Sequence, residues 1–356
     1  VVMSSMGTAQ SAYLTKNMKM KEMAKTGMTA VLVSSIVGVS MAYFGMGYWA
    51  LASQSIVFIG MNSLLLWVFS DWRPTFEFDF SPIKRMFRFS VKMLATNIIN
   101  HVNNNVLNIL LGKYYSTTAT GYYNQAYQWN FKLFSLVQGM LYQVTQPMLV
   151  SLREEPGRQL NALRKLIRFT AFLSFPLLLG FGLVSTEFIS VTITDKWLPS
   201  AQFMQILCIG GAFLPLSNLF SQLLLSRGHS STYMWCTIAL SILQLATAYI
   251  AYPYGIQTML LAFITVNTGW IVVWLHFVHR EIGLTFFSFL KDICPYLLLS
   301  GVLVILAHYA TLDIESTGIR LACKIAGVGG CYLFILWLMK SVILRESVAF
   351  FQNKKK

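Results

Sequence analysis

The chain has 356 residues, of which 56% are apolar and only 11% charged, with a mean hydropathy of +0.59. A water-soluble domain carries about 25% charged residues, so this composition excludes an ordinary soluble globule. The formal net charge of +14 accompanies recurring apolar runs, so membrane topology explains it better than a nucleic-acid partner, and none is expected.

The sequence opens Val-Val-Met, with no initiator Met and no signal peptide, which implies a start inside a longer protein. Residues 1–27 hold Lys16, Lys19, Lys21 and Lys25, with Glu22 as the only acid. Apolar runs predict spans over 28–46 and 48–70, joined by a Gly45-Met46-Gly47 turn. Asp71-Trp72-Arg73-Pro74 starts a charged connector that runs to Lys92. Within it, Lys84, Arg85 and Arg88 interleave with Ile83, Met86, Phe87 and Phe89, the pattern of a short interfacial helix on anionic headgroups. Two polar spans follow at 93–111 and 122–150, and then a basic connector, 151–168, with a Pro156-Gly157 turn. Further spans are predicted at 169–193, 201–225, 233–252, 256–278, 293–310 and 319–340. The fold class is therefore an all-α integral membrane protein of about ten transmembrane helices.

Charge tests that count. If the spans alternate from a cytoplasmic N-terminus, 22 of the 27 Lys and Arg fall on the cytoplasmic side and three on the other; Lys132 and Lys324 lie inside spans. This bias obeys the positive-inside rule and places both ends of the chain in the cytoplasm. Pro147, Pro176, Pro215 and Pro295 fall inside spans, where they kink helices. The five cysteines all lie in spans with no metal-ligand spacing, and read as small apolar packers. No Walker motif, Gly-x-Ser-x-Gly or zinc pattern occurs, and the longest loop has about 22 residues and is basic, which argues against an enzyme and implies no cofactor.

The two polar spans carry the functional signal. The first contains Asn97, Asn100, His101, Asn103, Asn104, Asn105 and Asn108. At about 100° per residue, all but Asn103 fall within about 140° of arc. The second places Asn124, Gln128, Ser135, Gln138, Tyr142 and Gln146 within about 80°, with Lys132 at the edge and Phe131 intruding. Amides in hydrocarbon are costly without partners or water, so these stripes face other helices or a wet cavity. Interhelical hydrogen bonding is the bland explanation; the wall of a transport path is the sharper one, favoured by the number of amides. Lys132 lies about ten residues into its span, too deep for easy snorkelling. His101 among asparagines reads as a hydrogen-bonding partner rather than a proton relay. Glu187, near the outer end of its span, reads as interfacial, and Lys324 as snorkelling to the surface.

Several stretches together resemble the bacterial polysaccharide and O-antigen flippases of the Wzx and WzxC type. They are Gly38 to Trp49, Trp72-Arg73-Pro74, Leu111-Gly112-Lys113-Tyr114, and Gly121-Tyr122-Tyr123-Asn124-Gln125-Ala126. Pro147, Lys196-Trp197 with Ala201, Leu214-Pro215-Leu216, Arg227-Gly228 and Gly255-Ile256 continue the likeness in order. The family belongs to the multidrug/oligosaccharidyl-lipid/polysaccharide superfamily, whose fold is two six-helix lobes around a central cavity, often with two extra helices. The resemblance implies that residues 1–70 are the last two spans of an N-terminal lobe and 71–92 the cytoplasmic connector. Residues 93–278 would form the C-terminal six-helix lobe, and 279–356 two additional helices with a basic tail. It further implies a flippase moving undecaprenyl-diphosphate-linked oligosaccharide across the bacterial inner membrane, for lipopolysaccharide, O-antigen or exopolysaccharide. Its partners would be the lipid bilayer, a glycan polymerase and export machinery.

On that reading Asn97, Asn100, His101, Asn104, Asn108, Asn124, Gln128, Gln138 and Tyr142 bind sugar hydroxyls, and Lys132 the diphosphate. Tyr122, Tyr123, Tyr127 and Trp129 would add stacking surfaces. The alternative is a multidrug or cation antiporter of the same superfamily, which would need an acid that these two spans lack. A membrane glycan polymerase or ligase, or an assembly partner, remains a third reading.

Overall fold

The computed structural model describes residues 2–17, 19–73, 80–339 and 343. Among the described residues all regular structure is helical. The chain divides into two compact units, Val1–Ile83 and Lys84–Lys356.

The first unit holds α1 (Val2–Met6), α2 (Thr8–Lys16), α3 (Met20–Tyr43) and α4 (Tyr48–Phe69). The basic N-terminal stretch is therefore helical, and α3 starts eight residues before the expected span. Helix α1 docks on α4: Ser63 Oγ donates to Met3 O at 2.7 Å and Trp67 Nε1 to Met6 O at 2.8 Å. The α3–α4 turn has φ of +77° at Gly45 and +53° at Gly47, a conformation that glycine adopts without steric cost. Lys19 Nζ lies 2.5 Å from Asp71 Oδ2, joining the start of α3 to the residues after α4.

Helix α5 (Ser81–Tyr114) bridges the boundary and enters the second unit. The expected interfacial helix at 83–89 is not separate; it forms the first turns of this 34-residue helix. No proline or glycine interrupts the junction, so nothing ends a helix there. The side chains of residues 83, 85, 88 and 89 lie outside the described set, as do connector residues 74–79 and most of the basic tail.

Helix α6 (Thr117–Ser151) follows, with Ser116 Oγ accepting from Ala119 N at 3.0 Å as its N-cap. Helix α7 (Pro156–Thr192) absorbs the predicted basic connector. Only Leu152–Glu155 turns; Pro156 occupies the first turn, where its missing N–H costs nothing.

The next predicted span is broken into α8 (Pro199–Gly211) and α9 (Leu214–Ser226), with Pro215 in the first turn of α9. Pro215 therefore starts a helix rather than kinking one. After α10 (Ser230–Ala251), another span is interrupted at Trp270 between α11 (Ile256–Gly269) and α12 (Ile271–Ile282). The last two helices are α13 (Phe286–Ala310) and α14 (Thr317–Leu338).

Among the described residues, eight helical segments are long and apolar enough to cross a membrane; α5 and α6 are not among them. At about 1.5 Å per residue both exceed the bilayer core, and it is their polar side chains that keep them out. The ten-span count therefore rests, for these two, on length. The chain is a multi-pass helical membrane protein.

The second unit has two apolar cores. One gathers residues of α6, α7, α9, α12, α13 and α14 around Phe175, Phe220 and Trp274. The other gathers residues of α5, α6, α7, α8, α10 and α11 around Leu111, Met204 and Met259. At one end of the unit, basic connections meet. Arg153 Nη2 donates to Arg227 O at 3.1 Å, and Arg227 Nε donates to Gln159 Oε1 at 3.0 Å. Glu281 receives Arg227 at 3.4 Å and lies 3.0 Å from His229 Nε2. The turns that the charge pattern assigns to one side of the membrane are thus adjacent in space.

Candidate functional site

Helix α6 sorts its exposed positions by side. Leu136, Met140 and Val144 form one exposed apolar edge. Gln128, Lys132, Ser135 and Tyr142 form another, exposed and polar, centred about 120° away. Asn124 and Gln138 are half-buried beside it. An apolar edge suits lipid; a polar edge on the same helix needs water or protein. Helix α5 repeats the division, with Leu94, Ile98 and Val102 beside an exposed line of Asn97, His101 and Asn105.

Lys132 is exposed, and its Nζ sits 3.9 Å from the ring centroid of Trp129. It is therefore neither buried nor unsupported, as position alone suggested. A cation over an indole face gains about 0.5–1 kcal/mol at an exposed site. Trp129 is braced in turn by an edge contact with Phe188, centroids 4.9 Å apart.

The α5 amides do not form a single stripe. Asn100, expected in one arc with Asn97 and His101, turns inward with Asn103, the residue excluded from that arc. Both line a chamber of about 350 Å³ inside the second unit. Asn103 Nδ2 donates to Gln244 Oε1 at 2.6 Å, and Asn100 hydrogen-bonds Tyr233. Asn97 and His101 stay exposed, whereas Asn108 is half-buried with its Oδ1 unpartnered. The Asn104 side chain lies outside the described set. Gln138 Oε1 accepts from Asn218 Nδ2 at 3.1 Å, and Asn218 also lines the chamber. The candidate residues therefore divide between an outer polar edge and an inner chamber.

Sequence reasoning missed Asn130, which is 5% exposed and lines the chamber. The signal was present, since an amide on the otherwise apolar face of α6 needs a reason to be there. It was also missed that Glu187 and Lys324 pair with each other, each side chain only 6% exposed. The pair joins α7 to α14, because two buried charges of opposite sign relieve each other's desolvation. No group of three or more metal-ligating side chains occurs among the described residues.

Comparison with known proteins follows the same line. The teichuronic acid biosynthesis protein TuaB of Bacillus subtilis (strain 168) is 26% identical over 77% of this chain and 58% of its own length. The lipopolysaccharide biosynthesis protein WzxC of Escherichia coli (strain K12) is 25% identical over 61% of this chain and 44% of its own. The chain thus spans about half the length of these curated relatives. The solved structure of the lipid II flippase MurJ, in its inward closed conformation, matches with a TM-score of 0.62 at 16% identity. That match covers 90% of this chain and 67% of the MurJ chain, and it speaks to fold. Residues 1–202 match the model of the family described as polysaccharide biosynthesis protein, so the chain belongs to the polysaccharide biosynthesis protein family.

Proposed function

We propose that this chain is part of a flippase that moves a lipid-linked oligosaccharide, carried on undecaprenyl diphosphate, across the bacterial inner membrane for surface polysaccharide assembly. The observation that carries this reading is the exposed polar edge of α6, Gln128–Lys132–Ser135–Tyr142, running beside a lipid-suited edge on the same helix. A glycan needs donors and acceptors along its path, which amides and hydroxyls supply. A diphosphate needs positive charge, which Lys132 supplies. The prenyl chain stays in lipid alongside. Family membership and the names of the relatives support the same class of cargo.

In this reading residues 93–278 form the C-terminal lobe, 1–70 contribute to an N-terminal lobe, and the basic turns face the cytoplasm. Cation antiport is not favoured: α5 and α6 contain no acid. The buried carboxylates of the second unit are also engaged, Glu187 by Lys324 and Asp292 by Arg164 and Arg168.

The test uses the full-length gene, restored to a strain lacking it. Lys132→Gln keeps hydrogen bonding and removes charge; surface glycan should fall at matched membrane abundance. Lys132→Arg should restore part of it, since charge remains while shape differs. Undiminished glycan in the Gln variant would remove Lys132 from the path.

A further inference from the structure

We infer that the inner chamber of the second unit is a subsite for one neutral saccharide ring of the cargo. The inference rests on the flippase reading and adds a second place where the glycan is held. The chamber lies between the two apolar cores, at the point where both spans α8–α9 and α11–α12 are interrupted. Within a membrane, irregular backbone survives only where protein buries it or a wet cavity receives it. One freed carbonyl has a protein partner: Ser174 Oγ donates to Ala212 O at 2.7 Å. Discontinuous helices of this kind are where transporters place ligand contacts.

The lining specifies the ligand chemistry. Among the described residues, no charged side chain or histidine lines the chamber, which leaves a diphosphate or a metal cation without a counter-charge. Its polar groups are amides and hydroxyls from α5, α6, α9, α10 and α11. Two of them lack full satisfaction. Asn103 Oδ1 is buried without a partner. Asn130, 95% buried, has among the described residues a weak acceptor for its Nδ2, the Cys208 Sγ at 3.5 Å. A buried amide in that condition costs about 1–3 kcal/mol unless a ligand or water completes it. Sugar hydroxyls both donate and accept, so they complete either end of an amide.

Helix α6 also lends aromatic side chains to the lining. Tyr123, Tyr127, Phe131 and Phe134 run along α6 with successive centroids 5.9, 6.0 and 5.9 Å apart. Such rings give an apolar boundary for the C–H side of a pyranose, while the amides meet its hydroxyls. Phe131 is 50% exposed, so the lining reaches the surface on the side of α6 that carries the polar edge. The volume of about 350 Å³ admits one ring with water and excludes a whole repeat unit.

The experiment places a single cysteine at Thr237, which lines the chamber, in full-length protein whose native cysteines are replaced by alanine. A small water-soluble methanethiosulfonate reports access in nanodiscs. Probes are undecaprenyl-diphosphate-linked oligosaccharide extracted from the source organism and bare undecaprenyl diphosphate. The cysteine should react when the protein is empty. At a glycolipid concentration about ten times its Kd, the reaction should slow about tenfold, because about a tenth of the sites stay open. Bare undecaprenyl diphosphate should leave the rate unchanged. Gln244→Leu, whose partner is Asn103, should weaken the glycolipid's protection while leaving the empty rate near normal.

An inert cysteine in the empty protein would overturn the inference, since a dry chamber takes no sugar. Equal protection by the bare carrier would also overturn it. Native mass spectrometry separates the two levels of the account. Glycolipid retained without protection at Thr237 removes the subsite and leaves the flippase reading standing. Failure to retain glycolipid at all removes both.

Discussion

Asp292 on α13 is the point at which the last two helices are fixed to the rest of the second unit at its basic end. It is 4% exposed and accepts from Arg164 Nε at 2.7 Å and Arg164 Nη2 at 3.0 Å, and Arg168 Nε lies 3.3 Å away as a second ion pair. Removing one partner from a buried ion pair costs about 3–5 kcal/mol. Here the arginine side chains retain 30% and 38% exposure, so water and lipid phosphates reach them once the carboxylate is gone. That screening lowers the expected cost of Asp292→Asn to about 2 kcal/mol. The assay is reversible unfolding in mixed micelles, with Arg164→Gln and the double variant completing a cycle. The coupling energy should be about 1.5 kcal/mol or more, because the bidentate contact is lost once and not twice. A coupling below about 0.5 kcal/mol would refute the reasoning and make Asp292 an incidental neighbour of the arginines.

Glu187→Gln and Lys324→Met should each destabilise by about 3–5 kcal/mol in the same assay, and the double variant by less than either, because no lone buried charge then remains. A double variant worse than both singles would contradict this. Gly210→Ala should cost about 1–3 kcal/mol by overpacking. Its added Cβ would stand 2.5 Å from Ile264 Cγ2, and the same change at Gly211 would meet Asn130 Nδ2 at 2.7 Å and narrow the chamber. The hydrogen bond from Lys19 lowers the Asp71 carboxyl below its ordinary 3.8 and raises the lysine above 10.5. The Asp71 share of stability is present above pH 3.8 and lost as pH falls through its folded value; the Lys19 share is lost as pH rises past 10.5. Asp71→Asn should therefore flatten both limbs of the stability profile slightly, the pair being exposed; an unaltered profile would mean the contact contributes nothing.

The membrane character and most spans were legible because apolar runs of about 20 residues need no tertiary information. Helix ends were less so. Helix α7 continues through Arg158, Arg164 and Arg168 because Pro156 starts it early and its residues favour helix; hydropathy sees only that the stretch is basic. The site was half legible. A helical wheel collects the majority of polar residues into one arc, so it grouped Asn100 with Asn97 and His101 and set Asn103 aside, whereas Asn100 and Asn103 share the chamber lining. Their places are fixed by Gln244 and Tyr233, more than 130 residues away in sequence. The Glu187–Lys324 pair was hidden for the same reason, with 137 residues between partners. Each residue read alone looked interfacial, and only packing of α14 on α7 brings them together.

The central claim is that the polar edge of α6 carries a lipid-linked glycan across the membrane. Its most direct test is translocation by full-length protein in proteoliposomes. Undecaprenyl-diphosphate-linked oligosaccharide is loaded in one leaflet, and its arrival in the other is read by a lectin that cannot cross. The account predicts protein-dependent transfer that slows when Lys132→Gln and Gln128→Leu are introduced at matched reconstitution, and persists when exposed lipid-edge Met140 is replaced by Leu. Transfer equal to protein-free vesicles, or transfer indifferent to the two polar-edge variants, would contradict it.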